Sequence, residues 1–317
     1  MRPKASCLAV LMLSVEPAVR AQETVDVQEL VTRCADAGGV LTLHTDLRVE
    51  GGAAETGACR ILLDFCRLFL VGVELSASDF FVVDGQPGGE LQIDHSILSR
   101  SDEEGPAVDI LLRAHHFNIE STVVDFDGSI HLETGMGDQG VVHVESVILR
   151  SRSKDLRVGA SGNFDQGTNI VLSSTLLAAT DINITASFNT PGLRGGYVSV
   201  QESSLIAGGS ISLQTGDAGR TQVRGNGVLR ATGPITLLSS EESRTIVDQN
   251  RIAGDDPVQI SSGGLTSVSG NIFLRGSSVE IDGPLCVSSG NFPPVECSLT
   301  PARGRPVESP RRGILLP

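Results

Sequence analysis

The alternation of apolar and polar positions along this chain repeats at long range. In Leu91-Gln92-Ile93-Asp94-His95-Ser96-Ile97-Leu98, two apolar residues flank a free position, and a third follows five places later. The frame recurs at Leu68/Leu70/Leu75, Phe117/Ile119/Val124, Val142/Val144/Leu149, Ile170/Leu172/Leu177 and Val198/Val200/Leu205. Threonine takes the first place in Thr221/Val223/Val228, Thr245/Val247/Ile252 and Thr266/Val268/Phe273. The last members of successive copies lie 21 to 28 residues apart. A second apolar-any-apolar triplet follows each copy, such as Ile110/Leu112, Ile130/Leu132, Leu156/Val158, Ile182/Ile184 and Ile211/Leu213. Turn formers such as Asp127-Gly128, Gly208-Gly209 and Gly233-Pro234 stand between the two. Period-two alternation marks half-buried strands, and clusters of Gly, Asp and Pro mark the bends.

A unit of two short strands cannot bury its apolar face alone, whereas stacked units share one core. The pattern therefore predicts an all-β solenoid of about nine coils, with strands of successive coils paired in parallel about 4.8 Å apart. It resembles the right-handed parallel β-helix of the pectate-lyase-like superfamily, over roughly residues 24 to 285. An N-terminal capping helix is expected at about 26–37. Asp26 and Glu29 have the spacing of an N-cap and its third helical residue, and Val27, Leu30, Val31 and Cys34 form one stripe before Gly38-Gly39. Strand Val40–Leu43 should follow directly. A polar column two places before the last apolar position reads Ser96, Thr122, Val147, Thr175, Ser203, Asn226, Asn250, Asn271. Stacked amides there predict a hydrogen-bonded ladder at a bend.

The ends of the chain read differently. Arg2 and Lys4 precede an apolar run from Ala5 to Val15, and Val19-Arg20-Ala21 presents small residues for cleavage. The run is too short to span a bilayer, so residues 1–21 are expected to be a signal peptide. The mature chain is then exported, to the periplasm, the cell surface or the medium. Residues 22–300 should form a single β-helix domain, and the Pro/Arg-rich 301–317 a disordered tail. Export suits disulfides. Cys34, Cys59, Cys66, Cys286 and Cys297 remain after cleavage. The short spacings suggest the pairs Cys59–Cys66 and Cys286–Cys297, with Cys34 left over, but a Cys34–Cys59 bridge is equally allowed. The formal net charge of −14 falls to about −16 once the basic leader is lost. That balance argues against nucleic-acid or anionic-lipid partners, and no membrane insertion is expected.

The positions between and after the inward residues of each first strand face outward, and stacking sets them in columns. One reads Asp94, Glu120, Glu145, Ser173, Gln201, Arg224, Asp248, Ser269, and its neighbour supplies Gln92, Asn118 and His143. Three carboxylates in adjacent coils repel unless a cation or protons relieve them. Oxygen ligands of this kind suit calcium. The resemblance adds that similar polysaccharide lyases hold calcium on the outer face of such a sheet, and Ile93-Asp94-His95 is similar to a short strand motif of pectate lyases. Against an enzyme stand the lack of a basic catalytic constellation, of the polygalacturonase aspartates with Gly-His-Gly, and of a Gly-x-Ser-x-Gly elbow. Aromatics are only 3%, with no Trp and one Tyr, so sugar-stacking platforms are scarce.

Two function classes follow. The favoured one is a non-catalytic exported β-helix whose repetitive surface serves adhesion, glycan binding or envelope structure, with a polysaccharide or a cell-surface molecule as partner. The alternative is a calcium-assisted polysaccharide lyase, or another carbohydrate-active enzyme, working across Asp94, Glu120 and Glu145. No catalytic residue is assigned from sequence.

Overall fold

The computed structural model describes residues 22–288, apart from 86–87, 102–104, 135–139, 163–166, 189–195, 217–218, 257, 274–278 and 283–284. The leader, the tail and the Cys286–Cys297 pairing lie outside the described residues. The chain folds as a parallel β-solenoid, with one helix among the described residues. The nine expected repeats stack in order, and one further coil, built from Asp46–Glu50 and Ala53–Leu63, lies beneath them.

The central coils carry three strands rather than the expected two, because the apolar residue five places on belongs to a strand of its own; in the first coils Ala53–Leu63 and Glu74–Gly85 run through the second and third sheets as single strands. The first sheet contains Arg67–Val71, Glu90–Asp94, His116–Glu120, Val141–Glu145, Thr168–Leu172, Tyr197–Gln201 and Arg220–Arg224. The second contains Ile97–Arg100, Val123–Phe126, Ile148–Ser151, Thr175–Ala178, Ser204–Ala207 and Val228–Ala231. The third contains Ile110–Ala114, Ile130–Thr134, Leu156–Gly162, Ile182–Phe188 and Ile211–Thr215. Ile235–Asp248 and Val258–Ser269 turn a corner and serve both the third and the first sheet.

Two stretches of register differ from the sequence reading. In the Thr168–Leu172 coil, Asn169, Val171 and Leu176 point inward, not Ile170, Leu172 and Leu177. A one-residue slip exchanges the two faces of a strand. Pairing with the coils on either side fixes it: Asn169 stands between Val142 and Val198, Val171 between Val144 and Val200, and Leu176 between Leu149 and Leu205. Pairing with Leu205 and Ile252 likewise makes Leu229, not Val228, the inward residue of its coil. Gly227 supplies the extra residue, and its amide donates to Ser203 O at 3.0 Å.

The corner between the first and second sheets is built the same way in every coil. One residue adopts the left-handed conformation: Gly72, Gly225 and Gly270, but also His95, Ser121, Ser146, Ser173, Glu202 and Gln249. For a non-glycine residue this costs on the order of 1–2 kcal/mol. The ladder that follows offsets the cost. Its members are those read from sequence, except that Ser174 replaces Thr175. Ser174 N donates to Ser203 Oγ at 3.1 Å, Ser203 N to Asn226 Oδ1 at 2.9 Å, Asn226 N to Asn250 Oδ1 at 3.1 Å and Asn250 N to Asn271 Oδ1 at 2.9 Å. The amide nitrogens of Asn226 and Asn250 also reach Val200 O and Val223 O, both at 3.0 Å.

This ladder makes a measurable difference. Asn250→Leu leaves the buried amides of Asn226 without their acceptor and should destabilise by about 2–3 kcal/mol. Asn250→Ser should cost less, since serine already fills the same place at Ser174 and Ser203. Equal urea midpoints for the leucine variant and the wild type would show that the ladder adds nothing.

The interior is one cluster of aliphatic stacks, closed at its N-terminal end by the helix. Helix α1 (Val27–Asp36) is capped by Asp26, whose carboxylate accepts from Glu29 N at 2.8 Å. It buries Val27, Leu30 and Cys34 and packs Val31 partly against the core. Cys34 is joined to Cys59, with Cα atoms 5.9 Å apart. Of the two pairings left open for Cys59, the bridge to Cys34 forms and the Cys59–Cys66 pairing is corrected. Cys59 faces inward beneath the helix stripe, whereas Cys66 lies past the next corner, where its buried thiol donates to Leu43 O at 3.2 Å. Burial pushes that thiol's pKa up.

Along the rod the character of the core changes. One inward column of the first sheet begins Leu47, Leu68, Leu91, Phe117, Val142 and ends Thr221, Thr245, Thr266. In these coils Thr221 and Thr245 meet hydroxyls of the third sheet. The Thr215–Thr221 and Thr221–Ser239 contacts are each 3.2 Å, and Ser239–Thr245 is 2.6 Å. The result is a buried seam of hydroxyl groups.

Candidate functional site

The outer face of the first sheet carries the residues singled out from sequence, and register places them side by side. Gln92, Asn118 and His143 pair in successive coils, as do Asp94, Glu120 and Glu145. After Glu145 the acidic column continues with Leu172 and Gln201, not Ser173, as a result of the register shift in the Thr168–Leu172 coil. An aliphatic side chain therefore ends the run of acids.

Two of the three carboxylates are engaged locally. Asp94 Oδ1 lies 2.6 Å from His95 Nδ1, and Glu145 Oε2 lies 3.4 Å from His143 Nε2. Among the described residues, no three His, Cys, Asp or Glu side chains gather as a group able to hold a metal ion. The acids stack along the axis instead of converging on one point, and so do not supply the enclosing set of oxygens that calcium takes.

Beside the acidic column, the same face is hollowed into a cleft of about 250 Å³. Gln92, Asn118 and His143 form one wall, and the column is completed by Phe69 from the coil below. Arg67, Glu90, His116 and Val141 form the other wall, above a floor of Leu68, Leu91 and Phe117. Arg67 lies over the Phe69 ring, 5.7 Å from its centroid. It is anchored by two bonds to Asp46 Oδ2, at 2.9 and 2.8 Å, and its backbone amide also donates to Asp46. Asp46 is only 1% exposed, so this carboxylate fixes the guanidinium from inside the fold. His116 meets His115 edge to face at 4.5 Å. The cleft thus offers planar hydrogen-bonding groups at the coil spacing, one aromatic ring and one held cation.

The sequence reading found the Gln92–Asn118–His143 wall and missed the other. The signal was present: Arg67 occupies the outward place just before Leu68, one coil before the candidate patch, and Phe69, which extends the Gln92 wall, occupies the next.

The outer face of the third sheet is a ladder of opposite charges. Arg60 pairs with Asp84 at 2.6 Å, Arg113 with Glu133 at 3.0 Å and Arg157 with Asp155 at 2.7 Å. Burial alone would raise the pKa of Asp155, but the Ser129 hydroxyl and Arg157 hold it below its ordinary value. Ser129 donates to Asp155 Oδ1 at 2.7 Å, while His131 stands 3.9 Å from the same oxygen. The serine hydroxyl is therefore directed at the acid and not at the histidine, which is not the geometry of a nucleophile and its base.

No helix among the described residues is long and apolar enough to cross a membrane. No protein family matches this sequence, and no curated protein or solved structure matches it either.

Proposed function

We propose that this chain is an exported, non-catalytic β-helix of the pectate-lyase-like type, which presents the outer face of its first sheet to a glycan in adhesion or envelope structure. The observation that carries the reading is the cleft between the Arg67 and His143 columns. Gln92, Asn118 and His143 stand at one coil spacing, about 4.8 Å, so an extended ligand lying along the axis meets the same kind of group repeatedly. Sugars take hydrogen bonds from amides and imidazoles and stack on rings, and Phe69 lines the same wall. The Arg2–Ala21 leader pattern supports export, and the Cys34–Cys59 bridge suits an oxidising compartment.

A panel of immobilised glycans tests the reading. The full chain should be retained on at least one of them, and Asn118→Ala with His143→Ala should weaken that retention about tenfold or more. The in-register acids keep the lyase reading as the competing result. Calcium-dependent release of unsaturated uronate, followed by ultraviolet absorbance and lost in Glu120→Ala and Glu145→Ala, would replace the binding function with a catalytic one.

A further inference from the structure

The outer face of the second sheet differs from the other two in being largely apolar. Ile97, Val123 and Ile148 pair in successive coils as one outward column. One coil further the stripe steps to the neighbouring column, where Leu177 pairs with Ile206. Ile97, Ile148 and Ile206 are 42%, 45% and 38% exposed, and they are three of the six large hydrophobic residues exposed among the described ones. Scattered exposed aliphatics are ordinary, but a continuous stripe on one face marks an interaction surface.

Charge on this face is ordered along the rod. Glu55 and Glu74 lie in the two coils before the stripe, and Asp125 stands in the same strand as Val123. Arg150 follows in the next coil, and Arg230 pairs with Ile206 at the far end. The acids thus precede the arginines, so the face complements a reversed copy of itself. A second copy related by a two-fold axis along the strands, between the Val123 and Ile148 coils, runs antiparallel. It sets Val123 against Ile148, Ile97 against Thr175, Asp125 against Arg150 and Glu55 against Arg230, and each pair forms twice. Parallel copies would oppose Glu55 to Glu55 and Arg230 to Arg230, and such like-charge contacts reject that alignment. Asp125 also holds Arg152 at 2.8 Å within its own copy, so Glu55 with Arg230 is the pair that reads direction. The shared face spans about 34 Å along the rod and about 13 Å along the strands, or roughly 900 Å² over both copies.

We propose that the outer face of the second sheet docks a second copy of this chain, packed antiparallel across the stripe from Ile97 to Ile206. The pair is closed, because a two-fold contact uses the same patch on both copies. Its modest area places it among weak, reversible interfaces, with a dissociation constant on the order of 10 μM or above. The first sheets stay uncovered, and the axis brings both to one edge of the pair. The proposal is independent of the glycan reading of that sheet.

Sedimentation equilibrium of the full chain, from about 1 μM to about 1 mM, tests it. The mass should rise from monomer to dimer and stop there. Ile148→Lys, next to the axis, should weaken the dimer about tenfold or more. Arg230→Glu and Glu55→Arg should each weaken it about tenfold, and the two changes together should restore it to within about threefold. That rescue needs Glu55 of one copy to meet Arg230 of the other, because on one chain the two lie about seven strand spacings apart. The charge exchange decides the matter on its own if Ile148→Lys disturbs the fold. A chain that stays monomeric throughout would overturn the proposal and leave the stripe to a partner of another kind. A dimer indifferent to Ile148→Lys would overturn the choice of face. A dimer lost in Ile148→Lys but not rescued by the charge exchange would overturn the antiparallel pairing, and mass growing beyond the dimer would overturn its closure.

Discussion

Phe117→Ala is expected to destabilise the protein by about 3–5 kcal/mol. The ring is 2% exposed and stands in the inward column of the first sheet, between Leu91 and Val142. Removing it opens a cavity that the neighbours cannot close, because parallel hydrogen bonding on both sides holds the coils at a fixed spacing. The strands that would have to move are those that shape the candidate cleft, whose floor Phe117 helps to form. Urea unfolding read by circular dichroism measures the loss. Hydrogen exchange should show it centred on the coils from Glu90 to Glu145. A loss under about 1 kcal/mol would mean that the stack relaxes around the gap and that its coils are softer than the hydrogen-bond register implies.

Breaking the Cys34–Cys59 bridge is the other large effect. The cysteines are 25 positions apart, and closing a loop of that size corresponds to about 3.5 kcal/mol of unfolded-chain entropy. Cys34→Ser with Cys59→Ser should lower stability by roughly that amount. The damage should be local. Helix α1 is docked through Val27, Leu30 and the bridge itself, so exchange should rise first in residues 22–37 and in the inward strand around Cys59. Cys66→Ser serves as the control. It changes a buried thiol that makes one bond to Leu43 O, and it should leave the helix protected. Equal loss of helix protection in both variants would contradict the pairing.

The fold was legible because a solenoid writes its architecture into the sequence many times. The triplets Ile182/Ile184 and Ile211/Leu213 face inward as the alternation requires, and the capped helix is where its charges and stripe put it. The errors came from counting within a coil. Leu177 and Val228 looked right by hydrophobicity alone, because nothing in one copy states how many residues a corner needs. Only pairing with the coils above and below selects Leu176 and Leu229. The spacing leaves Cys59–Cys66 and Cys34–Cys59 both open for a related reason: short sequence spacing suggests proximity, but in a coil residues one turn apart are closer than residues across a corner, and Cys34–Cys59 is the pair that forms. Half of the candidate cleft is legible in the sequence: Gln92, Asn118 and His143 stand out as a polar column, whereas Phe69, which extends that column, and Arg67, which the Asp46 anchor sets opposite it, carry no such signal on their own.

The buried seam from Thr215 to Thr245 gives the rod a direction in time. Coils near the helix gain their stability from Leu, Ile and Phe, whose burial is non-directional and forgiving of small errors in alignment. Coils at the other end also bury aliphatics such as Val223, Leu229, Ile235 and Val247, but must in addition satisfy hydroxyl against hydroxyl, which is favourable only once the partner strand is already in place. Folding should therefore start against the capped, oil-filled end and grow coil by coil toward Thr266, each finished turn acting as the template for the next. Under load or in denaturant, the same gradient makes the rod peel from the threonine end first.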